Sequence, residues 1–192
     1  MKKDIRILFT DLDGTLLNDQ KEITPETQKA IDQALAAGHK IVVTTGRPLA
    51  SGLTCAEKAG LVKEGCYVIA FNGGQIYDPF HKKTIYGKTI PKEIARDIFR
   101  EAVKRNLYIQ SYSDSHVLTL KEGPELTRYV GGTGQPYQVV KTVEEAVPQD
   151  PYKILAISLD DRPGEERFRK EVLEPMAGKI NGFFSNDAYL EI

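Results

Sequence analysis

Apolar positions along this chain fall into two periods. Three short runs, Ile5-Arg6-Ile7-Leu8-Phe9, Ile41-Val42-Val43-Thr44 and Tyr67-Val68-Ile69-Ala70-Phe71, are rich in β-formers and too short for helices, so each predicts a strand. Between the first two, Thr24-Pro25 reads as an N-cap and first helical residue. Ala30, Ile31, Ala34 and Leu35 recur at helical spacing, and Gly38 supplies the stop. A second helix follows Pro48, with Leu49, Leu53 and Ala56 on one face and Gly60 at its end. Strands apolar along their whole length suit a parallel sheet with both faces covered. The order β-α-β-α-β therefore predicts an α/β fold with a doubly wound, Rossmann-like parallel core.

Beyond Asn72-Gly73-Gly74 the rhythm changes. Gln75-Ile76-Tyr77 and Lys83 to Lys88 flank Asp78-Pro79 and predict a hairpin. Pro91 to Arg105 predicts a helix whose inner face holds Ile94, Ile98, Phe99, Ala102 and Val103. Tyr108 to Tyr112 and His116 to Leu120 predict a second hairpin. Gly123 to Gln135 reads as a short helix with a glycine-rich loop (Gly131, Gly132, Gly134). Lys153 to Leu159 predicts a strand, Pro163 to Met176 a helix, and Ile180 to Ser185 with Tyr189 to Ile192 two final strands. This half has the character of a separate α+β module inserted after the third core strand. No repeat or low-complexity segment interrupts either half.

Composition adds mainly exclusions. Among 192 residues, 41% are hydrophobic and 28% charged, with Lys+Arg 26 against Asp+Glu 27, so no basic nucleic-acid footprint or acidic tail stands out. Cys55 and Cys66 lack metal-ligand spacing and read as reduced thiols. Met1-Lys2-Lys3-Asp4 leads into too short an apolar run for a signal segment or membrane span, and a cytoplasmic protein without nucleic-acid or membrane partners is expected. The oligomeric state is not legible.

The chemistry sits where the predicted strands end. In an open parallel sheet, ligands bind beyond the carboxyl ends of the strands. Three polar groups occupy such ends: Asp11-Leu12-Asp13-Gly14-Thr15, Thr45-Gly46-Arg47 and Asn72-Gly73. A carboxylate at Asp11 can attack phosphorus and become an aspartyl-phosphate, provided a cation offsets the repulsion between two anions. Asp13, two residues on, can protonate the leaving oxygen and later deprotonate water, which requires a raised pKa at the first step. Gly14 permits the sharp turn. Thr45 offers a hydroxyl, Gly46 an open backbone N–H, and Arg47 a fork for an anion or a site carboxylate. A lone Asp-Gly would be only a turn, but five matched residues joined by two further polar strand ends favour function. Asn72-Gly73 is balanced between turn and site neighbour. His39, His81 and His116 have no partners at catalytic spacing, and Asp160-Asp161 before Arg162-Pro163 reads as a helix N-cap.

Asp11 to Thr15, Thr45-Gly46-Arg47 and Asn72-Gly73, in this order, resemble the haloacid dehalogenase-like superfamily, in particular its Cof-like phosphatases with a type IIB α/β cap. The resemblance implies residues 1–82 as core, 83–190 as cap and 191–192 as the start of a return to the core. It makes Asp11 the nucleophile and Asp13 the general acid/base. Mg2+ is held by the Asp11 carboxylate and the Asp13 carbonyl, and phosphate by Thr45 and the N–H groups of Leu12 and Gly46. Arg47, Asn72 and Gly73 line the site. The implied activity is hydrolysis of small phosphorylated metabolites, above all sugar phosphates.

The family's third motif, a lysine, and its fourth, an acidic loop, would lie beyond Ile192. A shortened form of weak or no activity is therefore expected, with one face of the core strands lacking a covering helix. Three alternatives remain: a phosphomutase of the phosphomannomutase type, a receiver-type phospho-acceptor, and a non-catalytic binder of phosphorylated ligands. The first-strand position of Asp11 and the inserted module argue against the receiver.

Overall fold

The computed structural model describes residues 4–192, so Met1-Lys2-Lys3, part of the lead read as too short for a signal segment, lies outside the described residues. The chain divides into two compact units, one ending at Lys88 and one running from Thr89 to Ile192.

In the first unit, β1 (Ile7–Thr10), α1 (Pro25–Ala36), β2 (Lys40–Thr44), α2 (Leu49–Lys58) and β3 (Tyr67–Ala70) follow in order. The three strands are parallel, with Thr10 opposite Val43 and Thr44 opposite Ile69, so their carboxyl ends lie side by side. Thr24 caps α1 by accepting the Thr27 N–H, and Pro25 opens the helix. The expected inner face of α1 holds only in part: Ile31 is buried, Ala34 and Leu35 are half-buried, and Ala30 is exposed.

β4 (Gln75–Asp78) and β5 (Lys83–Gly87) extend the sheet antiparallel, giving the order β1-β2-β3-β4-β5. The boundary expected between residues 82 and 83 falls inside this hairpin. Asp78 pairs with Lys83 and Gln75 with Gly87, so β5 belongs to the first sheet and the division comes at Lys88. The middle strand of the parallel three, β2, buries Ile41, Val42 and Val43, whereas Ile7, Leu8 and Phe9 on the edge strand β1 are each 57–60% exposed. The uniformly apolar run at β1 therefore does not mean burial on both faces.

The second unit contains α3 (Lys92–Lys104), β6 (Tyr108–Tyr112), β7 (Val117–Thr119), α4 (Pro124–Thr133), β8 (Tyr137–Val139), α5 (Val143–Ala146), β9 (Leu155–Ile157), α6 (Arg162–Phe168), β10 (Phe183–Asn186) and β11 (Tyr189–Glu191). Its sheet has the order β10-β11-β9-β6-β7-β8, antiparallel except between β7 and β8. One face packs Ile109, Ala156 and Leu190 against Ile98, Phe99 and Ala102 of α3 and Phe168 of α6. The face opposite Ile109 carries a buried polar ladder. Tyr108 donates to Gln110 at 3.0 Å and Gln110 to Tyr112 at 3.0 Å. Lys153 and Glu191, both nearly buried, form an ion pair at 2.9 Å.

Several expectations change here. Val103 is exposed rather than inward. Gly131 and Gly132 lie inside α4, and the turn out of it falls at Gly134, where φ is +66°. β8 and the four-residue α5, whose Thr142 and Glu145 form a capping box, are too short for periodicity to detect. The helix expected over 163–176 starts as foreseen, with Asp161 accepting from the Gly164 N–H at 2.9 Å. It then loosens into a π turn at Arg169–Leu173 and a 3-10 turn at Glu174–Met176, because Pro175 has no N–H to continue the ladder. Residues 191–192 do not leave this unit: Glu191 pairs with Leu155, and Ile192 exchanges both backbone hydrogen bonds with Ile154 at 2.9 Å. No helix among the described residues is long and apolar enough to cross a membrane.

Glu165 in α6 has no exposed surface, and neither carboxylate oxygen has a hydrogen-bond partner among the described residues. Burial pushes its carboxyl up to about 8, with the Arg162 charge pulling partly back. Between the ordinary 4.5 and about 8 the folded chain keeps a proton that the unfolded chain releases. Stability should therefore fall as pH rises through that window and level off above it. Urea unfolding of Glu165→Gln should lose this slope and exceed the unaltered chain at pH 9 by a few kcal/mol. Equal slopes in the two proteins would refute the assignment.

Candidate active site

The candidate site is built on the carboxyl ends of β1, β2 and β3. After Thr10 the chain turns sharply at Gly14, where φ is +72°. The Asp11 carbonyl accepts from the Leu16 N–H at 3.1 Å and from the Thr10 hydroxyl at 3.0 Å. The Leu12 carbonyl accepts from Leu17 at 2.9 Å. Leu12, Leu16 and Leu17 are buried, so the loop is anchored from beneath while Asp11 and Asp13 point outward. Asp11 is exposed, and among the described residues its carboxylate makes no hydrogen bond or ion pair.

Asp13 is held instead. Arg47 donates Nε to Oδ2 at 2.7 Å and Nη2 to Oδ1 at 2.6 Å, and Lys21 Nζ reaches Oδ1 at 2.7 Å. The remaining Arg47 Nη1 donates to the hydroxyl of buried Ser51 at 3.2 Å, tying the guanidinium to α2. Partial burial alone would push the Asp13 carboxyl up. The hydrogen bonds from Arg47 and Lys21, reinforced by their charges, outweigh it and hold the group below the ordinary carboxylate range. The raised pKa expected for Asp13 is thus reversed in this arrangement, because two cations face the carboxylate.

The second and third strand ends are stitched together by backbone. Thr45 N–H donates to the Ile69 carbonyl at 2.8 Å, Phe71 N–H to Arg47 at 3.1 Å, and Asn72 N–H to Thr45 at 3.2 Å. Phe71 and Asn72 adopt φ of +51° and +55°, uncommon for residues with a Cβ. Thr45 is buried, and its hydroxyl accepts the Arg47 N–H at 3.1 Å. A Cβ at Gly46 would stand 2.6 Å from Asn72 Oδ1, so any larger residue there would make the Asn72 side chain give way.

All the sequence-derived site residues, Asp11, Leu12, Asp13, Thr45, Gly46, Arg47, Asn72 and Gly73, thus fall on the three neighbouring strand ends or their first turns. The sequence reading missed Lys21 and Ser51. Lys21 is one lysine in a polar turn, and Ser51 is one small residue in a helix; neither carries a sequence signal. His81 pairs with Asp78 at 2.8 Å, away from these strand ends in the sheet, and Cys55 and Cys66 are free thiols.

These features define a parallel-sheet α/β protein whose polar groups gather at the carboxyl ends of its strands. The chain belongs to the haloacid dehalogenase-like hydrolases, whose family profile matches residues 8–192. It is 33% identical over 122 residues to the Bacillus subtilis phosphatase YwpJ, covering 64% of this chain and 41% of that protein. It is 43% identical over 75 residues to the 5-amino-6-(5-phospho-D-ribitylamino)uracil phosphatase YcsE of the same organism, covering 39% of this chain and 29% of the relative. The chain thus spans less than half the length of these curated relatives. A haloacid dehalogenase-like hydrolase from Bacteroides thetaiotaomicron superposes with a TM-score of 0.90 at 23% identity, covering 97% of this chain and 70% of that one. A Thermotoga maritima protein superposes with a TM-score of 0.81 at 28% identity, covering 97% and 68%. A sugar phosphatase of subclass IIB shares the fold at 18% identity, with a TM-score of 0.73 and coverage of 97% and 68%.

Gly46→Ala should force the Asn72 side chain to shift, since the new Cβ would stand 2.6 Å from its Oδ1, and cost about 1 kcal/mol. Thermal melting checks the cost. An unchanged melting temperature would show that Asn72 adds nothing to the strand-end junction.

Proposed function

We propose that this chain carries the phosphotransfer machinery of a magnesium-dependent phosphatase acting on small phosphorylated metabolites, with sugar phosphates the foremost class. The observation that carries this reading is the contrast between two carboxylates on one loop: Asp11 exposed and unpartnered, Asp13 gripped by Arg47 and Lys21.

Asp11 attacks phosphorus in line with the leaving oxygen, forming an aspartyl acyl phosphate as the P–O bond to the leaving alkoxide breaks. Asp13 is placed to take a proton from the water that cleaves the acyl phosphate; acting first as the acid for the departing alkoxide requires it to be protonated, which its contacts with Arg47 and Lys21 oppose. Thr45 and the N–H groups of Leu12 and Gly46 receive the phosphoryl oxygens. The two donors on the loop, the Asp11 carboxylate and the Asp13 carbonyl, are hard oxygens. They suit a magnesium ion, which commonly takes few protein ligands and fills its shell with water and substrate oxygens. Bound there, magnesium would neutralise charge between nucleophile and phosphate.

The second unit, Thr89–Ile192, acts in this reading as a cap that selects the substrate. A cytoplasmic location belongs to the same proposal and is supported by the free thiols Cys55 and Cys66.

Any phosphate the chain releases from a phosphosugar panel should depend on magnesium, and EDTA should abolish that release. Acid-quenched protein incubated with labelled acetyl phosphate should retain the phosphoryl group, a readout independent of turnover. Asp11→Asn should lower both signals by about a thousandfold or more. Label retained at full strength by that variant would overturn the nucleophile assignment.

A further inference from the structure

We propose that Lys21 is an exchangeable cation of the phosphotransfer site, releasing Asp13 to meet the phosphate dianion of an incoming ligand. The proposal rests on the functional reading above and goes beyond it in naming the residue that receives the ligand's charge.

The first argument is the turn that presents the residue. Asn18 N–H donates to the Glu22 carbonyl, Lys21 N–H to the Asn18 carbonyl, and Glu22 N–H to Asn18 Oδ1, each at 2.9 Å. Within this frame Lys21 adopts φ of +61°, a left-handed conformation that a lysine rarely takes. Three hydrogen bonds thus fix an unfavoured backbone state, and the side chain it projects ends on Asp13 Oδ1 at 2.7 Å.

The second argument is a division of labour between the two cations. Arg47 has only 11% of its side chain exposed, is braced by Ser51, and meets both Asp13 oxygens in a planar fork. It satisfies the geometry of the carboxylate by itself. Lys21 is the additional donor on one oxygen, and half of its side chain is exposed. Its ammonium is a point charge on a flexible stem, so it can change partners where the rigid arginine cannot. An ion pair this exposed is worth little in water, so giving it up costs little. A phosphate dianion arriving at Asp11, two residues from Asp13 on the same loop, offers a stronger partner for the flexible stem, and Arg47 keeps Asp13 in place after the lysine leaves.

The test is titration calorimetry of inorganic phosphate into the full chain in magnesium buffer. The unaltered protein is compared with Lys21→Gln, Lys21→Arg and, as a charge control, Lys29→Gln in α1. Lys21→Gln should weaken phosphate binding about tenfold, Lys21→Arg about threefold or less, and Lys29→Gln should leave it unchanged. The same weakening should persist when Lys21→Gln is made in an Asp13→Asn background. A lysine that serves only to hold Asp13 would have no effect there. Thermal melting of each variant separates lost binding from lost fold, and Lys21→Arg keeps the proposal open to refutation if the glutamine variant unfolds. Phosphate binding by Lys21→Gln equal to that of the unaltered chain, or an equal loss in Lys29→Gln, would overturn the inference and leave the phosphatase reading standing. No phosphate binding by the unaltered chain would overturn both.

Discussion

Arg47 meets Asp13 through two nearly equal hydrogen bonds, 2.7 Å from Nε and 2.6 Å from Nη2, and on this fork the candidate site depends. It joins the loop after β1 to the loop after β2, two segments more than thirty residues apart in sequence. The third guanidinium nitrogen reaches Ser51, so the fork also registers both loops against α2. A lysine could supply the charge but not the plane, because a single ammonium cannot meet both carboxylate oxygens and a hydroxyl in fixed directions.

Behind the fork stands a less visible constraint. The strand ends of β2 and β3 are joined by backbone hydrogen bonds that place Phe71 and Asn72 in left-handed conformations. Such conformations cost energy in any residue with a Cβ, and they persist here because the neighbouring backbone leaves no other way to satisfy those groups. Gly46 completes the arrangement by leaving space for Asn72 Oδ1. Rigid strands, a strained junction and a nearly buried arginine thus set the geometry of the loop on which the Asp11 carboxylate, among the described residues, makes no hydrogen bond or ion pair.

What the sequence disclosed follows the same division. Apolar runs and their stops located the parallel strands within about two residues, because burial of β2 and β3 imposes that pattern directly. The Asp-x-Asp-Gly-Thr loop was legible because its residues have no packing reason to occur together. Lys21 and Ser51 were not legible, since each gains meaning from a contact made across space. The break after Phe168 follows from Pro175 but shows only once the hydrogen-bond ladder is traced. β8 and α5 are held by tertiary contacts and a capping box, and at three and four residues they carry no periodic signal. The boundary at Lys88 was displaced because the β4–β5 hairpin shares its alternation with strands on either side of any division.

β1 poses the opposite case, a pattern present without the burial it implies. Ile7, Leu8 and Phe9 point to alternate faces of the strand, yet all three are more than half exposed, and among the described residues β1 pairs with β2 alone. The strand that leads into Asp11 is therefore the least buried of the parallel three. Its hold on Asp11 comes from the residues just after it. Leu12 has no exposed surface, Leu16 and Leu17 are 7% and 5% exposed, and the backbone between them closes on the Asp11 and Leu12 carbonyls. Small displacements of a reacting atom are costly in phosphoryl transfer, which depends on in-line alignment. In the proposed reaction, the buried leucines of the loop, more than the apolar side chains of β1, would therefore fix the backbone from which the Asp11 carboxylate projects.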